Sequence, residues 1–468
     1  MNPEQFRTAA HRLVDWIADY QRDIEARRVV PDVAPGFLRQ ALPAEAPEHG
    51  ESFERILADF ETLVVPGMTH WQHPGFFAYF PGNASPPSQL AELLTSALAA
   101  QCMSWQTSPA ATELEQVATD WLRRLWGLDE GFHGVIQDTS SSATLVALLS
   151  ARERATDFAG LRGGLQDQTP QLMVYASAER HSSVDKAVRL AGLGLTNLRL
   201  VPVDENFALK PALLESMILA DLSAGRRPCA VVATVGSTSS TAVDPLRPIG
   251  EICRRHGVWL HIDASYAGTA AMLPEKRWIF DGAKRADSLV VNPHKWMMVN
   301  FDCSAYFVRD VEALLRTASA SPEFLRTAVD GSVPNFRDWG VPLGRRFRAL
   351  KLWWVLRAYG AEGLREILRA HCAMAKEFES WVRADERFEV VAPVEFGLVC
   401  FRLRPAAGES PESIDQRNRE LLERVNADGR VFLTHTSLSG RITLRLAIGQ
   451  RVTERRHVEL AWELARQA

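Results

Sequence analysis

The sequence predicts an α/β protein: a mostly parallel central sheet in a large domain, a smaller α/β domain after it, and a helical segment before it. Three observations predict this. Short apolar runs alternate with amphipathic stretches between residues 134 and 292, the pattern of strands joined by crossover helices and covered on both faces. A long helical pattern from about 345 then leads into a second, shorter set of strands. Before residue 30, apolar residues recur at helical spacing.

In chain order, Phe6, Ala10, Leu13, Ile17, Tyr20 and Ile24 form one apolar stripe. Such a stripe needs a cover, either the chain's own core or a partner subunit. Residues 29–50, rich in Pro and Ala, read as a connecting arm, and 51–64 as a second helix. The runs "GVIQ" (134–137), "LMVYAS" (172–177), "LRLVPV" (198–203), "CAVVATVG" (229–236), "VWLHID" (258–263) and "SLVVN" (288–292) read as strands. Helices are expected between them, over 141–155, 182–192, 208–223 and 246–256. "SAYFVRD" (304–310) reads as a further strand. Residues 318–343 have no clear period and several Ser, Pro and Gly, the composition of a long lid-like loop. Beyond the long helix, strands are expected at 388–393, 396–403 and 442–448, with a closing helix over 452–466.

Composition narrows the function classes. A net charge of −4 lacks the basic field of a nucleic-acid or anionic-membrane binder. No run approaches the roughly 18 apolar residues of a membrane span, and "MNPEQFRTAAHRLVDW" carries no signal-peptide core. Cys102, Cys229, Cys253, Cys303, Cys372 and Cys400 are scattered, with no CxxC and no zinc spacing. They read as reduced thiols of a cytoplasmic protein, and no metal site is expected.

Ligands of doubly covered sheets collect at the carboxyl ends of the strands. After the first run come Thr139, Ser140, Ser141 and Ser142 at a helix start. Hydroxyls and free N–H groups there suit a phosphate and serve ordinary N-capping equally well. His181 follows the second run and Thr234 lies at the end of the fourth. Asp263 ends an apolar strand, where a carboxylate is costly unless paired or hydrogen-bonded. Asn292, His294 and Lys295 follow the next strand. One ligand accounts for all of these. Pyridoxal phosphate needs a lysine for a Schiff base, a carboxylate to keep its ring nitrogen protonated, a phosphate cup, and a flat group against its ring. Lys295, Asp263, Ser140 with Ser141, and His181 meet those needs in turn.

These residues sit in motifs that resemble the group II pyridoxal-phosphate decarboxylases, most closely the aromatic-L-amino-acid decarboxylases. The motifs run nearly end to end: "HPGFFAYFP" (73–81), "SWQTSPAATELE" (104–115), "VIQDTSSSATLVALL" (135–149), "HSSVDKA" (181–187), "LHIDASYAG" (260–268), "NPHKWMMVNFDCSA" (292–305), "PLGRRFRALKLWW" (342–354) and "GLVCFRL" (397–403). The resemblance implies the aspartate-aminotransferase fold, known as fold type I. It implies a helical segment over 1–85 that packs on a partner subunit, a large cofactor domain over 86–345 with a mobile catalytic loop at about 318–343, and a small domain over 346–468. It implies a Schiff base on Lys295, Asp263 on the pyridinium nitrogen, and His181 stacked on the ring. Ser140, Ser141 and His294 would hold the phosphate. Thr234, Asn292 and Ser265 would line the cofactor site, Ser265 standing where the family usually has alanine. Gly344 joins this set through a loop that reaches the neighbouring site of an obligate homodimer. Trp71, Tyr79, Phe80 and Pro81 would border the substrate pocket, where Gly82, Gln101 and Met103 replace other residues of the family.

The activity implied is decarboxylation of tryptophan, phenylalanine, tyrosine or dopa, through a quinonoid intermediate, to an amine and CO2. One departure bears on the product. The family's proton-donating loop tyrosine is Phe324 here, and no tyrosine lies between Tyr306 and Tyr359. Phenylalanine has no proton to donate. Family members with this replacement are aromatic acetaldehyde synthases, which consume O2 and release an aldehyde, ammonia, CO2 and hydrogen peroxide. That outcome is the alternative expectation.

Overall fold

The computed structural model describes residues 1–167, 170–320 and 329–467. Its large sheet comprises β1 (His133–Gln137), β2 (Leu172–Ser177), β3 (Leu198–Val201), β4 (Arg227–Thr234), β5 (Trp259–Asp263), β6 (Ser288–Val291) and β7 (Ser304–Val308). The order across the sheet is β1-β7-β6-β5-β4-β2-β3. Pairing is parallel from β3 through β6, while β7 runs antiparallel to both β6 and β1. The expected mostly parallel sheet is therefore present, with one reversed strand.

The first five helices are α1 (Pro3–Asp23), α2 (Phe37–Ala41), α3 (Phe53–Asp59), α4 (Pro86–Leu98) and α5 (Pro109–Leu125). Within the sheet region follow α6 (Ser140–Ala155), α7 (Ser182–Leu190), α8 (Pro211–Ser223), α9 (Leu246–His256), the single turn α10 (Pro293–Trp296) and α11 (Val311–Ala318). Strand alternation decides which helices cover which face. On β4, Ala230 and Val232 join a core with Val146 and Ala147 of α6 and Val184 and Val188 of α7. Val231 and Ala233 point the other way, into a core with Leu122 of α5, Ile218 of α8 and Ile249 of α9. That second core also takes in Leu352 and Val355 of α12 (Arg348–Ala384). Gly360, at φ 64°, leaves helical space and kinks α12.

The C-terminal part holds β8 (Phe388–Val390), β9 (Leu398–Leu403), α13 (Pro411–Ala427), β10 (Thr434–Leu438), β11 (Arg441–Ala447) and α14 (Arg455–Gln467). Its strands form an antiparallel sheet in the order β10-β11-β9-β8.

Seven of these elements have no counterpart in the sequence reading: α2, α4, α5, α10, α11, α13 and β10. Their local signals are weak for physical reasons. β10 reads "THTSL", polar, and pairs with only one neighbour. α13 buries only Ile414, Asn418, Leu421 and Val425 among mostly charged residues. The supposed arm begins as packed chain: Val29 is buried with Phe76 and Ala78, and its N–H donates to the Gly429 carbonyl at 2.8 Å. The far end of the expected loop is packed as well. Phe336 and Trp339 join the core beneath the sheet, and Gln137 Nε2 donates to the Trp339 carbonyl at 2.9 Å.

Strand β1 is a sheet edge, whose outward backbone groups need partners. Glu115 of α5 accepts the Ile136 N–H at 2.8 Å, and Arg345 donates to the Ile136 carbonyl at 2.7 Å. Glu115 and Arg345 pair with each other at 2.7 Å, both nearly fully buried. One ion pair thus closes the edge and ties it to α5 and to the chain entering α12. Removing one partner strands a buried charge, which costs about 3–5 kcal/mol. Glu115→Leu should therefore lower the midpoint of urea unfolding by that equivalent, whereas a surface pair such as Arg7–Glu4 should be removable with a change under about 1 kcal/mol.

Candidate active site

Thr234 of β4 lies opposite Asp263 of β5, and Asp263 lies opposite Val290 of β6. Three carboxyl ends therefore open at one level. Chain leaving β6 turns at once into α10, whose Pro293 suits a first helical position. That turn carries His294 and Lys295 back over the sheet edge. α6 starts at Ser140, capped by Thr139, and His181 caps α7. Among these ends lies a cavity of about 220 Å³. Its lining includes Ser140, Ser141, His181, Thr234, Asp263, Ser265, Asn292, His294 and Lys295. Every residue expected at the cofactor site is there except Gly344. Thr139, Ser183, Gly236, Thr238, Phe80 and Tyr266 complete the wall.

The charges in this cavity are set by burial. Burial lowers the Lys295 pKa; attraction to Asp263 opposes the shift and repulsion from Arg445 adds to it. Among the described residues, no hydrogen bond or ion pair reaches Lys295 Nζ, which sits 5.5 Å from the centroid of the Phe80 ring. His294 is pushed down to about 3, by burial and then by Lys295. Its Nδ1 accepts the Cys303 N–H at 2.9 Å, so the neutral ring carries its proton on Nε2. His181 is likewise lowered by burial, partly offset by Asp263. Its Nδ1 accepts the Ser183 N–H at 3.1 Å, which again leaves Nε2 as the donor. Asp263 accepts from the Ser265 N–H at 3.1 Å and from the Ser265 hydroxyl.

A wider cavity of about 550 Å³ opens onto the first. Trp71, Tyr79, Phe80 and Gly82 line it, as expected of the substrate pocket, together with His181, His294 and Lys295. Trp71 and Tyr79 stack at 5.7 Å, and Phe80 stacks on Tyr266 at 3.8 Å. Pro81 does not line this cavity: it is buried, close against Gly449. Gln101, Met103 and Gly344 also lie outside both cavities. Gln101 Oε1 instead accepts the Arg345 N–H at 2.6 Å, beside Gly344. Phe324 lies outside the described residues.

Sequence reasoning missed Phe301 and Arg445 as lining residues of the wider cavity. Arg445 had a signal: a cation inside the apolar run "ITLRLAI". It is 3% exposed, and its Nε and Nη2 have no hydrogen-bond partner among the described residues. Nη1 donates to Thr434 Oγ1 at 3.2 Å, and the guanidinium lies 5.2 Å from the Phe80 ring centroid. Such a group faces the cavity as an uncompensated positive charge, suited to a carboxylate.

The donor set fits pyridoxal phosphate. The Lys295 amine can take its aldehyde, Asp263 its ring nitrogen, and the α6 N-terminus with Ser141 and the His294 Nε2–H its phosphate. Fold and site together define a lysine-dependent pyridoxal-phosphate enzyme of fold type I. Comparison with known proteins makes this specific. The pyridoxal-dependent decarboxylase conserved domain matches residues 35–404. Phenylacetaldehyde synthase of Arabidopsis thaliana is 45% identical, over 99% of this chain and 96% of its own. The solved structure of Oryza sativa TDC with PLP and tryptamine superposes with a TM-score of 0.96 at 42% identity, covering 100% of this chain and 98% of that one. That of Rhodiola rosea 4-hydroxyphenylacetaldehyde synthase gives 0.93 at 38% identity, with the same coverage. The chain belongs to the pyridoxal-dependent decarboxylase family, and its cofactor is pyridoxal phosphate.

A lysine with a lowered pKa is a neutral nucleophile at lower pH than a free one. Mixing apoprotein with pyridoxal phosphate should therefore give a capture rate that rises with pH and levels off below the pKa of free lysine, near 10.4. Lys295→Ala should lack the visible absorption band of the lysine-bound cofactor at every pH, while the wild-type protein shows it.

Proposed function

We propose that this protein decarboxylates an aromatic L-amino acid, chosen from tryptophan, phenylalanine, tyrosine and dopa. The observation that carries the reading is the wider cavity, where the Lys295 amine and the buried Arg445 guanidinium, whose Nε and Nη2 lack hydrogen-bond partners among the described residues, share walls with Trp71, Tyr79, Phe80 and Phe301. Pyridoxal phosphate, when bound, supplies an aldehyde that captures the substrate amine and a protonated ring that accepts the electrons left as CO2 departs. The chain's own residues do the rest. Lys295 holds the cofactor until the substrate amine takes its place. Asp263 would keep a proton on the ring nitrogen, and His181 would pack against the ring. Arg445 fixes the substrate carboxylate, while the aromatic wall takes the side chain and excludes water.

The step after CO2 loss decides the product. A proton delivered to Cα gives the amine. His181 Nε2–H is a donor facing the cavity, and Phe324 is not a donor at all. Without timely protonation, O2 would take the electron pair together with two protons and leave as hydrogen peroxide. Water then releases the oxidised carbon as an aldehyde and the nitrogen as ammonia. This second reading is favoured by Phe324 and by the likeness to two named aldehyde synthases.

The proposal includes a homodimer. Phe6, Leu13 and Ile17 of α1 remain exposed, as do Leu90, Leu93, Leu94 and Leu98 of α4. A second copy would cover such apolar faces, and would place Gln101, Met103 and Gly344 at its partner's site. The division into residues 1–85, 86–345 and 346–468, with a mobile loop near 318–343, belongs to the same reading. So does a cytoplasmic location, supported by six cysteines that form no disulfide. No helix among the described residues is long and apolar enough to cross a membrane.

Incubation with the four amino acids, in air and without oxygen, should release CO2 in both arms. Amine alone in air, with no peroxide, would defeat the aldehyde reading; no CO2 from any of the four would defeat the proposal. Phe324→Tyr should raise the ratio of amine to aldehyde by about tenfold or more, given the 10²–10⁴ range of a positioned acid. Arg445→Met should raise KM by about 10- to 100-fold, the worth of a charge-assisted hydrogen bond, with a smaller change in kcat.

A further inference from the structure

Ser140 belongs to the start of α6, and Ser265 follows Asp263 by two residues, yet their hydroxyls lie 2.6 Å apart. Each is 8% exposed. The Ser265 hydroxyl also contacts Asp263 Oδ1, and the Ser140 hydroxyl contacts the side-chain amide of Asn292. The Ser304 hydroxyl reaches that same amide at 2.7 Å and the Asp138 carbonyl at 3.3 Å. Backbone closes the loop, since the Asn292 N–H donates to the Ser265 carbonyl at 3.0 Å. A continuous chain therefore runs from Asn292 through Ser140 and Ser265 to Asp263.

Counting protons gives the chain a direction. Each hydroxyl has one proton, and an ionised carboxylate only accepts. Ser265 therefore donates to Asp263, and Ser140 donates to Ser265. Asn292 turns its Oδ1 toward the Ser140 and Ser304 hydroxyls; the proton count calls for the opposite amide orientation, with the NH2 edge toward both, and Ser304 then donates to the Asp138 carbonyl. Every contact is then satisfied, and the donors from Asn292 through Ser140 to Ser265 point toward Asp263. The Ser140 hydroxyl is spent on this chain, so the phosphate cup draws on its backbone N–H and on Ser141.

We infer that Ser265 is a positioning residue, which locks the carboxylate of Asp263 to the phosphate-cup residue Ser140 so that the two ends of the cofactor are gripped as one rigid unit. The inference rests on the reading of Asp263 as the partner of the cofactor's ring nitrogen. A bond from a hydroxyl to a buried charge is strong, and a carboxylate held in one orientation meets the ring nitrogen without reorganising.

The test measures affinity of the apoprotein for pyridoxal phosphate and for 1-deazapyridoxal phosphate, which lacks the ring nitrogen. Ser265→Ala should weaken binding of pyridoxal phosphate by about tenfold or more and binding of the deaza analogue by less than about twofold. Thermal unfolding of the apoprotein should be unchanged within a degree or two. Ser140→Ala should weaken binding of pyridoxal phosphate too, and the double variant should lose no more than the larger single loss, because both break one chain. Wild-type affinity in Ser265→Ala, or equal losses for both cofactors, would overturn the inference. Asp263→Asn separates the two claims. If it abolishes the preference for pyridoxal phosphate over the deaza analogue while Ser265→Ala leaves that preference intact, Asp263 keeps its role and the serine chain fails. If Asp263→Asn leaves the preference intact, the reading beneath both fails.

Discussion

The strand register of β4, β5 and β6 is the constraint on which the rest depends. It sets Thr234 and Asp263 side by side and brings the end of β6 level with them. A one-residue slip would turn Asp263 to the opposite face of the sheet. The two apolar cores hold that register from both sides, because every residue of β5 and β6 is buried. Packing of ordinary Val, Ala, Leu and Ile thus fixes the place of an ion.

Burial then sets the chemistry. Loss of solvent around Lys295 and the two histidines lowers their pKa values and favours their neutral forms. A neutral lysine is a nucleophile, and neutral histidines donate from Nε2 once their Nδ1 atoms are tied to backbone N–H groups. Asp263 and Arg445 are the opposite case, charged groups whose surroundings are arranged to receive a ligand. Asp263 has neighbouring donors, whereas Arg445 meets a single acceptor, Thr434 Oγ1, among the described residues. The asymmetry matches a permanent cofactor at one end and a transient anion at the other.

Much of the site was legible because its residues punctuate strands. A carboxylate after "VWLHI", a lysine after "SLVVN" and hydroxyls before an apolar helix break the local pattern, and each break costs free energy without a partner. Arg445 broke a pattern in the same way, but its strand lies in the C-terminal sheet, far along the chain. Nothing local shows that β11 brings it over Phe80. Pro81 misled for the reverse reason. Its motif neighbours line the pocket, while its own ring turns inward against Gly449. In the fold, β10 and α13 were illegible because their stability comes from a neighbour rather than from their own period.

Periodicity was enough to read the parallel sheet, strand-end residues nominated Lys295 with Asp263, and the family motifs nominated Phe324. Each is a property of short stretches, where spacing and side-chain chemistry leave few alternatives. Folding in three dimensions settled which distant groups meet: Glu115 with Arg345 on the β1 edge, Arg445 with the wider cavity, and Ser140 with Ser265. Those pairings join residues 125 to more than 200 positions apart. Such contacts depend on where whole helices and strands pack, and no local period records that.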